Sequence, residues 1–267
     1  MPSIEIAALR QEALQLAERV DGHAVEVLGQ QFSYQDEGQR IALHAQSVRM
    51  LQTFRAVTKL VEEELHDGAA AVLRSLVEQN FVFTAVLKDP ELLQQAVKVE
   101  EGEQRKALRA LSTLPLDCRP QGMTDEALSE AIEMRGTASF EAFFWAQKAG
   151  LEFTYQTLWR HLSFNAHGAL HATNDYFEMA EDGETVLRIR KTVLADRSID
   201  FVLTAVGILM ECAGAMDRQP MTDQRRARRE LLGTAWNGLR DRYYGFVEAM
   251  NRTGDKASSP PNAAVAE

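Results

Sequence analysis

Apolar residues recur at spacings of three and four along nearly the whole chain, and clusters of β-branched residues are few, so the pattern predicts helices. Leu9, Leu14, Leu16, Val20, Val25 and Leu28 mark a first helix that ends near the polar SYQDEGQ stretch. A second runs from about Arg40 through Val48, Leu51, Val57, Leu60 and Val61 to an expected stop at the HDG of residues 66–68. A third, AAAVLRSLVEQNFVFTAVL, is apolar enough to lie centrally and should end at KDP. After Pro90 comes a more charged helix in which Gly102 is a candidate kink or break. PLDCRPQGMTD reads as a loop, and Thr124 as the start of a short helix to about Met134, with acidic residues in its first turn. Next comes a helix around FEAFFWAQKAG, and at about 176–190 an Asp-Gly between two short alternating runs predicts a β-hairpin. The apolar IDFVLTAVGILMECAGAM and an arginine-rich helix complete the pattern. The expected architecture is all-α, a multi-helix bundle forming one domain over 1–252: N-terminal helices (1–66), a core (67–178) and C-terminal helices (196–252). The tail, 253–267, has no helix-face pattern and is expected to be disordered.

At 267 residues the chain can bury a core without disulfides or metal staples. Its two cysteines, Cys118 and Cys212, lie far apart and read as ordinary thiols. No signal-peptide pattern opens the sequence and no stretch reaches about 18 uncharged apolar residues, so a cytoplasmic protein that does not enter membranes is expected. The net charge of −10 argues against broad attraction to nucleic acid. Charge is uneven, however: residues 1–150 carry 15 basic and 23 acidic side chains, and residues 186–242 carry 11 basic and 7 acidic. Within the latter, Arg225, Arg226, Arg228 and Arg229 form either a solvated, ion-paired helix face or a phosphate-binding patch. Gly-rich phosphate loops, a GxSxG elbow and CxxC pairs are absent, and no cofactor is expected.

The richest chemistry lies in RHLSFNAHGALH, residues 160–171, with one arginine and three of the six histidines. Projected as one helix over 151–178, Leu151, Tyr155, Leu158, Trp159, Leu162, Ala166, Ala169, Leu170 and Phe177 form a core face. Gln156, Arg160, Ser163, His167, His171, Asn174 and Glu178 form a polar stripe opposite. Such a stripe is either a solvated face or a lined groove; between Glu152 and Asp175 its only formal charge is Arg160, which favours the groove, since solvent faces favour Lys and Glu. Gly168 places no side chain beside His167, which suits a close approach by a backbone or ligand, or a helix break.

WRHLSFNAH resembles the signature of a large bacterial family of all-helical proteins known as a domain of unknown function, in which an aromatic, Arg, a variable residue, Leu, Ser and then His recur. AAAVLRSLVEQNF, with Arg74 and Glu78 four apart, is similar to that family's other recognisable segment, so the likeness covers roughly 65–175. That family usually continues from its histidine into proline, where this chain has Gly168. The same stretch resembles the motif of HEPN ribonucleases, Arg followed by a polar residue, five others and His, found in bacterial toxins and antiphage systems. The resemblance implies metal-independent RNA cleavage in a homodimer, with Arg160 and His167 catalytic. Ser163 would position a phosphate oxygen, and His161, His171 and the four arginines at 225–229 would contact RNA. A histidine near neutral pKa suits proton transfer, and an arginine fork suits a phosphate.

Two other readings stay open. His167, His171 and Asp175 have a spacing that sets three metal ligands on one helix face, and Glu63 with His66 adds an ExxH, although a second ExxH is missing. A non-catalytic binding or regulatory module, such as an antitoxin or a scaffold for a partner protein, needs only the bundle. Arg74 and Glu78, charged residues in the most apolar helix, read as a structural pair that could brace the site helix.

Overall fold

The computed structural model describes residues 2–29, 38–166, 177–179, 186–189, 195–217 and 223–257. The fold is all-α, as the spacing predicts. In chain order the helices are α1 (Pro2–Leu28), α2 (Gly38–Glu62), α3 (His66–Lys88), α4 (Leu92–Ser112), α5 (Asp125–Glu133) and α6 (Ala142–Ala149). A short α7 (Glu152–Thr154) runs through a wide π turn (Tyr155–Trp159) into α8 (Arg160–Ala166). Two strands, β1 (Phe177–Met179) and β2 (Val186–Ile189), precede α9 (Ala195–Met216) and α10 (Asp223–Ala257). The strands pair antiparallel where the hairpin is expected, Phe177 opposite Ile189 and Met179 opposite Val186. α10 continues to Ala257, past the expected end at Arg252, because an established helix adds residues at little cost; residues 258–267 of the expected tail lie outside the described residues.

The chain divides into two compact units. One takes in Met1–Gln31, Val48–Leu76 and Leu162–Glu267. In it α1 packs along α9 and α10, burying Leu9, Ala13, Leu16, Val20, Ala24 and Val27 at helical spacing. Gly207 on α9 leaves room for the Trp236 ring, whose Cζ2 would lie 3.1 Å from any added Cβ, and the Trp236 indole donates to the Leu203 carbonyl at 2.8 Å. The expected stop at HDG falls elsewhere: His66 begins α3, with Asp67 in its positively polarised first turn. The chain leaves α2 just before this, at Glu64, which adopts a left-handed φ of 60° so that the Leu65 N–H reaches the Leu60 carbonyl at 2.8 Å. Arg10 from α1 holds this non-glycine cap, donating to the carbonyls of Val61 and Glu62 and to the Glu64 carboxylate.

The other unit takes in Phe32–Ser47 and Val77–His161. Here α4 packs on α5, and Thr124 caps α5 by accepting from the Ala127 N–H at 3.3 Å. Gly102 does not split α4, which runs unbroken through it. It is buried because the Ala138 backbone crosses at that point, where an added Cβ would fall 1.6 Å from the Ala138 carbonyl oxygen. Side chains on the same helix secure the crossing: Arg105 donates to the Arg135 carbonyl (2.9 Å), and Gln104 accepts from Arg135 (2.9 Å). α6 ends at Gly150, in the left-handed region at φ 71°, and the Lys88 ammonium donates to the adjacent Ala149 carbonyl.

Both α3 and Ser198–Met216 of α9 are long and apolar enough to cross a membrane by length and composition. Half or more of each apolar window is buried inside the protein, the property of a core helix.

The crossing at Gly102 yields a direct test. Gly102→Ala should lower the unfolding free energy by about 3 kcal/mol, since the clash is with backbone that no rotamer change relieves. Chemical denaturation at constant m-value would measure it.

Candidate functional site

The helix that carries the sequence-predicted site departs from even 100° spacing. At its centre the Arg160 N–H bonds the Tyr155 carbonyl, five residues back, which defines the π turn. The extra residue in this turn rotates the side chains after it relative to those before it. It also brings Tyr155 and Trp159 into a parallel stack, ring centroids 4.8 Å apart and 15° between planes, with Phe143 of α6 tilted against Tyr155 at 5.2 Å. The projection of 151–178 as one even helix therefore does not hold over its described residues. Leu151 precedes the helix, and Phe177 and Glu178 belong to β1, which pairs with β2. Of the expected core face, Leu162 is fully buried and Leu151, Tyr155, Leu158 and Trp159 are half-buried.

A hydrogen bond joins this helix to α3: the Trp159 indole Nε1–H donates to Glu78 Oε1 at 2.9 Å. A half-buried indole needs an acceptor and a carboxylate on an apolar helix needs a donor, and each satisfies the other. The two segments singled out in the sequence, one around Arg74 and Glu78 and one around Trp159 and Arg160, thus meet at this bond. Sequence reasoning matched Glu78 with Arg74 and missed Trp159. The signal was present, since a tryptophan on the inner side of a helix implies an acceptor facing it. Arg74 lies half-buried on α3, one turn before Glu78.

Immediately after Trp159 the side chains turn outward. Arg160 and His161 are exposed, Ser163 on α8 is half-buried, and one arm of the Arg160 guanidinium donates to Gln156 Oε1 at 3.2 Å. This contact steadies the guanidinium with a neutral acceptor, and among the described residues no carboxylate is paired with it. His167, His171 and Asp175 lie outside the described residues, so the relation of Arg160 to His167 rests on their seven-residue spacing alone.

The α10 arginines are placed in the first unit. Arg225 pairs with the buried Asp217 (3.3 Å) and with Glu26 of α1 (3.6 Å), and Arg228 also pairs with Glu26. Arg229 lies over Gly214 of α9, its Nη2 2.5 Å from where a Cβ would stand. Arg226 is exposed. Arg225 and Arg228 therefore hold α1 to the start of α10. Glu63, the first residue of the ExxH, pairs with Lys59 at 3.0 Å, and His66 is buried at the start of α3. Among the described residues no group of three His, Cys, Asp or Glu is arranged to hold a metal ion.

The model for the Family of unknown function (DUF5677) matches residues 40–185, more than half of the chain and nearly all of the segment from α2 to the hairpin turn. The chain belongs to this family. Both halves of the Glu78–Trp159 bond, and Arg160 through Asp175, fall inside the DUF5677 match, whereas the α10 arginines fall outside it. No curated protein and no solved structure matches the chain.

His23 of α1 sits among these α10 contacts, buried, its Nδ1 without a hydrogen-bond partner among the described residues. Burial lowers its pKa. Glu26 and Asp217 oppose that shift, and Arg228 and Arg229 reinforce it. Because the folded protein resists the proton that the unfolded chain accepts, the contribution of His23 is fully present above the ordinary imidazole range and is lost as the pH falls below it. Stability measured from about pH 7 to about pH 5 should decline more steeply in the wild type than in His23→Gln; equal slopes would mean that His23 does not couple folding to protons.

Proposed function

We propose that this chain is a HEPN-like, metal-independent endoribonuclease, acting as a homodimer in the cytoplasm, in the manner of a toxin or antiphage defence component. The observation that carries this reading is Arg160. It is the one formal charge between Glu152 and Asp175, it is exposed, it is fixed from behind by the Trp159–Glu78 bond, and His167 comes seven residues later. In this mechanism His167 takes the proton of a ribose 2′-hydroxyl, whose oxygen attacks the adjacent phosphorus. The bond from phosphorus to the 5′ oxygen breaks, a proton passes to that oxygen, and a 2′,3′-cyclic phosphate and a 5′-hydroxyl remain. Arg160 binds the phosphate and stabilises its developing charge, and Ser163 positions one of its oxygens. His161, His171 and the exposed Arg226 are candidate contacts to flanking RNA. The π turn immediately before Arg160 supports the assignment, because such turns recur at functional sites.

Inducing the wild type, Arg160→Ala and His167→Ala at equal soluble expression provides the test. Wild type alone should arrest growth and fragment RNA, and in vitro cleavage should fall at least about 100-fold in either variant, the scale of a lost acid–base or charge-stabilising group. Chelation should leave cleavage unchanged; loss of cleavage on chelation would point to the metal reading of His167, His171 and Asp175. Identical behaviour of all three proteins would favour a non-catalytic binding or regulatory module.

A further inference from the structure

Phe153 stands apart from the other aromatic side chains of the α6–α8 segment. Trp145 is buried at 1% exposure, Tyr155 and Trp159 are engaged in ring contacts, and Phe143 and Phe164 are 44% and 49% exposed, whereas Phe153 is 80% exposed. Like Gln156, Thr157, Arg160 and His161 after it, it is exposed to solvent. Each of those four carries at least one hydrogen-bond donor, and none is a carboxylate. The backbone beneath the ring is fixed, because the Thr157 hydroxyl donates to the Phe153 carbonyl at 2.8 Å.

We propose that this face is a docking platform for unpaired RNA, on which the Phe153 ring stacks a base while Arg160 holds a backbone phosphate. The inference rests on the ribonuclease reading for its substrate and extends it by naming a residue that reads single-strandedness. Charge argues for this occupant over an apolar protein surface. In a chain of net charge −10, residues 142–164 carry Lys148 and Arg160 against Glu152 alone. A row of donors with a fixed cation calls for a partner rich in acceptors and negative charge, and an adjacent bare ring calls for a flat apolar surface. A single-stranded nucleic acid presents both in alternation, whereas a duplex hides its base faces and leaves the ring without a partner. Phe153 and Arg160 lie on either side of the π turn, seven residues apart, so base and phosphate sit at separate points of one strand.

The test uses the full-length protein and a fluorescently labelled single-stranded RNA bearing 2′-O-methyl groups, which cannot be cleaved by 2′-hydroxyl attack, beside the duplex of the same sequence. Wild type should bind the single strand more tightly than the duplex. Phe153→Ala should weaken single-strand binding by about 5- to 150-fold, the loss of one base–aromatic stack, and leave duplex binding unchanged. Phe153→Trp should restore binding to within about threefold, since any large ring serves. Thermal unfolding of the variants should match the wild type, because the side chain is solvent-exposed. Equal binding by wild type and Phe153→Ala, equal affinity for duplex and single strand, or no binding at all would overturn the proposal. So would a Phe153→Ala effect confined to self-association in sedimentation, which would assign the ring to a second copy of the chain. Phe153-dependent binding without cleavage of unmodified RNA would overturn the ribonuclease reading alone. His167-dependent cleavage that ignores Phe153→Ala would overturn the platform alone.

Discussion

Glu78 sits on α3, one of the two long apolar helices, where burying a carboxylate without a partner would cost several kcal/mol. The Trp159 indole supplies a donor. This single bond fixes more than one group, because Trp159 also closes the π turn and stacks on Tyr155, and Tyr155 in turn meets Phe143 of α6. Arg160, the next residue, emerges from a backbone whose rotation is already set. The chemistry assigned to Arg160 and the platform assigned to Phe153 both depend on that rotation, one just after the turn and one just before it. Both partners of the bond lie inside the region that defines the family.

The helical architecture was legible because the core residues themselves carry the spacing: Leu9 to Val27 on α1 and Leu43 to Val61 on α2 are buried largely where three–four periodicity puts them. The short helix α5 was equally plain, since a threonine cap before a pair of acids is a local signal. The features that the residues did not reveal locally were set by distant partners. Glu64 takes a cap position normally left to glycine because Arg10, far away in sequence, bonds the exposed carbonyls around it. Gly102 resembles a helix break when α4 is considered alone, and becomes a requirement only when the Ala138 backbone crosses over it. The π turn is of the same kind, because nothing in YQTLW announces it and the aromatic stack and the bond to Glu78 select it.

The candidate site was legible in part. Residue types and spacing pointed to Arg160 and His167, and the outward position of Arg160 agrees with the polar stripe. The seven-residue relation assumed an even helix, however, and His167 lies outside the described residues, while the π turn breaks even spacing before Arg160. For the α10 arginines, composition could not separate a phosphate patch from an ion-paired face. Glu26 and Asp217 engage Arg225 and Arg228, a role that ties α1 to α10 in addition to whatever Arg226 and Arg229 contact. Fold class alone carries no activity, and the functional assignment therefore stands on the chemistry around Arg160.

The central claim is that Glu78 and Trp159 act as one unit in fixing the helix before Arg160. A double-mutant cycle with Glu78→Leu, Trp159→Phe and the pair, read by equilibrium denaturation, measures it directly. The account predicts a coupling energy of about 1.5 to 2 kcal/mol, the range of a hydrogen bond to a charged group, with the second substitution costing little once the first is made. Additive losses, with coupling near zero, would contradict it and leave the orientation of Arg160 without its support.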